Sequence, residues 1–132
     1  MSPRSEEFME QARQRLADAT KIIGLVHPAV VVTTAYYAML NAARAALSER
    51  GEYAKTHAGT WTQFSAAFVA GGEFDRELSA VARRAQEARQ RGDYEAAPAS
   101  EAEAAEFLEG AAEFVAAVEA MLAGPSGRSG SD

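Results

Sequence analysis

Three stretches of the chain carry side chains fit for chemistry. Arg89-Gln-Arg-Gly-Asp-Tyr94, with Arg84 just before it, sets guanidiniums at Arg84, Arg89 and Arg91 near the carboxylate of Asp93 and the phenol of Tyr94. Lys55-Thr56-His57 brings an ammonium, a hydroxyl and an imidazole together ahead of an apolar segment. Tyr37, Asn41 and Arg44 recur at helical spacing, so one helix face would carry all three. Guanidiniums and ammoniums hold anions, and helix N-terminal amides beside Lys55 would complete a phosphate site. Each group also has a structural reading. Arg89 and Asp93 can pair across one helical turn, a contact that contributes only about 0.2–0.5 kcal/mol, with Tyr94 packed over a bundle. Thr56 or His57 can cap the helix that follows. Tyr36, Tyr37, Asn41 and Arg44 can be helix–helix contacts, because aromatic side chains at helical spacing commonly build cores. Sequence alone leaves both readings open.

Composition narrows the chemistry. The chain has 132 residues and no cysteine, so disulfides, a thiolate nucleophile and a cysteine metal cluster are excluded. An intracellular, cytoplasmic location fits that usage. His27 and His57 do not form a metal set, and no Glu-x-x-His is present, which argues against a di-iron bundle. There is no Gly-rich phosphate loop, nucleophile elbow or zinc motif. No metal and no cofactor is expected. The net charge of −6 argues against simple non-specific nucleic-acid binding, which needs positive surface. That charge is uneven. Residues 1–91 hold twelve Lys or Arg against ten Asp or Glu, while residues 92–127 hold eight acids and no Lys or Arg. A modest basic patch can therefore exist outside the last helix.

The elements that must position these groups read as helices throughout. Between Ala29 and Leu47 there is a single charge, Arg44, and apolar or small residues face nearly every direction. A helix apolar all round belongs at the centre of a bundle. Val32, Tyr36, Met39, Ala43 and Leu47 form its main stripe, and Thr33, Tyr37, Asn41 and Arg44 a second one, fit for a polar pocket or a second subunit. The stretch is near membrane-spanning length, but its Thr, Tyr, Asn and Arg argue for burial in a soluble domain. The polar, acidic start is unlike a secretory signal.

A first helix is expected over about Ser5–Ile23, burying Phe8, Ala12, Leu16, Ala19 and Ile23. Gly24 and Pro28 separate it from the central helix, which Gly51 closes. A polar connection is expected over Glu52–Gly59. Thr60-Trp-Thr-Gln63 has capping-box spacing and predicts the start of a short third helix with Trp61, Phe64, Phe68 and Val69 inward. A fourth helix is expected from about Asp75 to Arg91, stopped by Gly92, with Asp93–Ala99 as a connection. Ser100-Glu-Ala-Glu103 predicts the start of a fifth, ending at Gly124-Pro125, whose Glu103, Glu106, Glu109 and Glu113 form a solvated acidic face. The whole reads as one all-α domain over residues 1–124, an up-and-down bundle of four long helices plus a short one, followed by a disordered tail at 125–132.

Ala35-Tyr-Tyr-Ala-Met-Leu-Asn-Ala-Ala-Arg-Ala-Ala-Leu47, Lys55-Thr-His-Ala-Gly59 and Arg89-Gln-Arg-Gly-Asp-Tyr94, followed by a Glu- and Ala-rich helix, resemble the HEPN family of small all-α domains over about residues 8–122. The likeness is to its free-standing prokaryotic branch. The resemblance implies a helical bundle, a homodimer, and a minimal nucleotidyltransferase as partner. It also implies RNA or a nucleotide as ligand, and endoribonuclease activity of the toxin–antitoxin kind. Catalytic members carry Arg-x4–6-His near the end of a late helix. Here Arg89 occupies the arginine position but no histidine follows it. Arg50-x6-His57 has the spacing but straddles a helix end and a loop, and Thr34 stands where related sequences tend to have Arg. Metal-independent cleavage of RNA needs a base, an acid and a cation beside the phosphorane. On the resemblance Arg89 would be the cation, Asp93 the base and Tyr94 a proton donor or a support for RNA. Arg84, Arg91, Lys55, Thr56, His57, Tyr37, Asn41 and Arg44 would bind nucleotide. The alternative is a non-catalytic module that binds a nucleotide or a partner protein.

Overall fold

The computed structural model describes residues 1–94 and 98–124, with the backbone alone at residues 93 and 94. Among the described residues five α-helices follow one another: α1 (Pro3–Ile22), α2 (Pro28–Glu49), α3 (His57–Phe64), α4 (Arg76–Tyr94) and α5 (Glu101–Leu122). No strand occurs among the described residues. The side chains of Asp93 and Tyr94 and the tail expected at 125–132 lie outside the described residues.

Helix α2 is the axis, packing against α1, α3, α4 and α5. Its burial runs round the whole circumference, from Val31 and Val32 through Ala35, Tyr36, Ala38, Met39, Leu40, Ala42, Ala43, Ala45 and Ala46 to Leu47. The alanines matter because a methyl group lets neighbouring backbones approach closely while still excluding water. At one end of the core Phe64, Phe74 and Phe114 tie α3, the segment before α4, and α5 together, with ring centroids 4.8–5.6 Å apart.

Caps set the helix starts. The Ser2 hydroxyl accepts from Ser5 N at the head of α1, so that helix begins earlier than its apolar period suggests, and Met9 joins the buried face. Ser100 and Glu103 form the reciprocal capping box of α5. Gly51 closes α2 with φ +73°, a left-handed conformation suited to glycine.

Two expectations change. The third helix starts at His57, not Thr60: Thr56 Oγ1 accepts from Gly59 N at 2.9 Å and is the cap. Thr60 is fully buried one turn inside, its hydroxyl returned to the Thr56 carbonyl at 2.9 Å. The polar connection is correspondingly shorter. Beyond Phe64 the chain continues as one wide turn, Ser65–Val69, closed by Ala70 N to Ser65 O at 2.9 Å, which keeps Phe68 and Val69 inward. Gly92 does not stop α4, which runs through it to Tyr94. A glycine within a helix costs only about 1 kcal/mol, and packing on α2 and α5 outweighs that preference.

Candidate functional site

The site lies where α3 and α4 meet the same two residues of α2. Tyr36 and Tyr37 are consecutive on α2, so their rings leave the helix about 100° apart; the rings meet edge to face with centroids 5.4 Å apart. From α4 the Arg89 guanidinium lies over both, 5.4 Å from the Tyr36 centroid and 5.7 Å from that of Tyr37. From the first turn of α3 the His57 ring packs on the same pair, at 5.6 and 5.7 Å. Tyr36 Oη lies 3.2 Å from His57 Nδ1 and accepts the Trp61 indole N–H at 3.0 Å. Arg89 Nε donates to Gln86 Oε1 at 3.2 Å, which fixes the guanidinium one turn from its own backbone.

Arg44, two turns along α2 from Tyr37, adds a second guanidinium whose Nε is buried with no hydrogen-bond partner. Burial above all, and then the nearby charges of Arg44 and Arg89, push the His57 imidazole below its ordinary value of 6.5. Burial likewise pushes the Tyr36 phenol up, against the opposing pull of the Trp61 hydrogen bond and the two arginines. The site is thus a neutral imidazole and the neutral Tyr36 phenol beside two guanidiniums. Among the described residues no carboxylate forms an ion pair with Arg44 or Arg89, whereas Arg50, Arg84 and Arg91 each have one and Arg13 has three. Beyond Arg89 a recess of about 130 Å³ opens between Val32, Thr33 and Ala99.

The other expected site residues are placed as follows. Asn41 is buried, its amide donating to the Tyr37 carbonyl at 2.9 Å, so it holds the helix that carries Tyr37. Lys55 is exposed just before α3, and Thr56 is spent as the cap. Arg84 and Arg91 face α5 instead: Arg91 Nη2 donates to both carboxylate oxygens of Glu103 at 2.9 Å, and Arg84 lies 3.7 Å from Glu106. Seven residues separate them, two turns along one face, and Arg89 leaves the opposite face. Glu103 and Glu106 are therefore partners of α4 and not simply solvated. Arg50 lies over the Phe68 ring and pairs with Glu73 at 2.9 Å, so its spacing to His57 has no structural counterpart.

Residues 5–121 match the family model of the HEPN domain. The chain belongs to the HEPN family. It is similar to the crystal structure of TT1696 from Thermus thermophilus, with 25% sequence identity over 91% of this chain and 99% of that one, at a TM-score of 0.73. No curated protein matches it. In this HEPN domain the histidine that shares its aromatic platform with the late-helix arginine comes from α3, not from the end of α4. The sequence reading missed Tyr36, Trp61 and Gln86 as members of the site. Tyr36 was assigned to the core by its spacing, and it is indeed wholly buried. A tyrosine in an otherwise Val, Met, Ala and Leu stripe was the available signal, because a buried phenol needs a hydrogen-bond partner.

Proposed function

We propose that this HEPN domain acts on RNA or a nucleotide by holding a phosphate at Arg44, His57 and Arg89. On this reading it works as a homodimer, as the toxin-like member of a pair with a minimal nucleotidyltransferase, in the cytoplasm. One observation supports it above the rest: the Arg89 guanidinium and the His57 imidazole converge on Tyr36 and Tyr37, with the buried Arg44 close enough to act on His57 and Tyr36, and no carboxylate pairs with either arginine among the described residues. Arg91, Arg84, Arg50 and Arg13, by contrast, pair with Glu103, Glu106, Glu73 and Glu119. Arg4 also lies over two rings, Phe8 and Tyr53, but with no imidazole or second guanidinium beside it among the described residues. An unneutralised guanidinium pair in a partly dry site is suited to a phosphate, which supplies the missing acceptors. The recess beside Arg89 gives the attached sugar or base apolar surface.

A second reading, binding without cleavage, is favoured by a specific feature. Among the described residues the cluster has no carboxylate to serve as base, and its one histidine spends Nδ1 on Tyr36. One experiment separates the two. Labelled total RNA is incubated with the native protein and with Arg89→Ala, chelator present, and binding is followed beside cleavage. Loss of a charged hydrogen-bonding group of this kind costs about 1.5–3 kcal/mol, so Arg89→Ala is expected to weaken RNA or nucleotide binding about ten- to a hundredfold. Cleavage lost in the variant makes the chain a metal-independent ribonuclease; binding without cleavage makes it a binding module. A folded native protein that neither binds nor cuts any RNA or nucleotide would end the proposal.

A further inference from the structure

The hydrogen bonds around Tyr36 decide where the proton of His57 sits. An indole N–H can only donate, and that of Trp61 gives its proton to Tyr36 Oη at 3.0 Å. The hydroxyl then has its own proton to place. Tyr36 is 0% exposed, so water does not take it, and His57 Nδ1 at 3.2 Å is its one other partner among the described residues. Were Nδ1 protonated instead, the phenol would accept twice and its own proton would be left unpaired in the interior, a state that buried polar groups avoid. The chain of donors therefore runs Trp61 to Tyr36 to His57. Nδ1 accepts, and the neutral ring carries its proton on Nε2. That nitrogen has no protein partner among the described residues, yet it is not among the buried unpartnered atoms, so it reaches the surface of the site.

We infer that His57 donates through Nε2–H to the phosphate-type anion held by Arg44 and Arg89, with Tyr36 and Trp61 as the positioning residues that fix this tautomer. The inference rests on the phosphate-binding reading above and adds the atom and its protonation state. It also removes His57 from the role of base, because the ring has no free lone pair while Tyr36 holds Nδ1. The groups facing the ring are Tyr36, Tyr37 and Arg44 from α2 and Arg89 from α4; among the described residues none is a carboxylate that would draw a second proton onto it.

The test uses the full chain labelled with ¹⁵N at histidine and long-range ¹H–¹⁵N correlation at about pH 7.5, where an ordinary imidazole is neutral. Comparison with His57→Asn identifies which of the two ring systems is His57. The expected result is the Nε2–H pattern, with that signal moving on titration with sulfate, an anion whose charge is constant across neutral pH. Sulfate affinity should stay level between about pH 7 and 8.5, since a neutral donor does not titrate there. In Tyr36→Phe the tautomers should mix and sulfate affinity should fall several-fold; the native spectrum already decides the matter if that variant does not fold. An Nδ1–H pattern, or affinity falling about tenfold per unit as pH rises, would overturn the inference. If sulfate binds, depends on Arg89, and leaves Nε2 unmoved, the role of His57 falls while the phosphate reading stands. If neither sulfate nor a mononucleotide binds the native protein, both fall.

Discussion

Arg89 and His57 show how a charged site is held in place with no carboxylate paired to it among the described residues. A guanidinium over an aromatic face is attracted by the ring quadrupole, so Tyr36 and Tyr37 fix Arg89 while leaving its charge available. A carboxylate would fix it equally well and cancel it. The cost falls on His57, which burial and the nearby Arg44 and Arg89 keep neutral. Its folded value lies below the ordinary 6.5, so the unfolded chain binds that proton more readily. The resulting stability is present above 6.5 and is lost as pH falls from there through the folded value. Glu49 and Glu103 are also held below their ordinary 4.5, Glu49 chiefly by the Ser2 backbone N–H and Glu103 chiefly by Arg91, so their losses begin only at lower pH. Urea unfolding of the native protein should therefore show a first drop in stability as pH falls below 6.5. His57→Gln should remove that drop and keep the later one; an unchanged profile would mean that His57 is not desolvated as described.

At the scale of elements, the α4–α5 contact depends on a missing side chain. Gly110 is buried on α5, and a β-carbon there would stand 2.5 Å from Val81 Cγ1 of α4. Arg84–Glu106 and Arg91–Glu103 continue the α4–α5 contact from there towards the start of α5, and Glu103 also completes the α5 capping box. Replacing glycine by alanine within a helix ordinarily stabilises by about 0.5–1 kcal/mol. Here overpacking, typically about 1–3 kcal/mol, should win, and Gly110→Ala should lower the urea midpoint. Gly110→Ala combined with Val81→Ala should recover part of the loss. A single variant as stable as the native protein would show that α5 can shift freely away from α4.

For the whole molecule the relevant feature is the separation of charge. The net −6 is concentrated towards the end of the chain, and Glu109 and Glu113 of α5 are exposed, while the site is a local pair of cations on the α2–α4 side. Such a surface cannot track a polyanion over many phosphates. Each phosphate neutralised on a single strand contributes about −0.7 to the slope of log affinity against log salt. A short oligoribonucleotide should accordingly bind with a slope of about −1 to −2 per chain, and lengthening it should steepen the slope little. A much steeper slope, measured by fluorescence anisotropy across a salt series, would mean that further basic residues reach the RNA. No described helix is long and apolar enough to cross a membrane.

The helices and their order are legible without coordinates, because periodicity, caps and glycine stops act within a turn or two of chain. It identified α2 as the axis, since a segment apolar on every face has to be covered on every face, and three separated motifs pointed to the HEPN family. Local signals erred where two competed. Thr56 and Thr60 both suit a cap, and Thr56 takes the role because a start at His57 buries Thr60 and brings Trp61 to Tyr36. Arg89 was legible as a candidate, and so was His57, but not their meeting. They stand on helices that each pack on α2, and whether two side chains share a ring depends on the rotation and crossing of three helices. The same is true of Arg84 and Arg91, whose carboxylates come from α5. Which arginines pair with a carboxylate and which, among the described residues, do not is set by how the helices cross, and no local signal carries that.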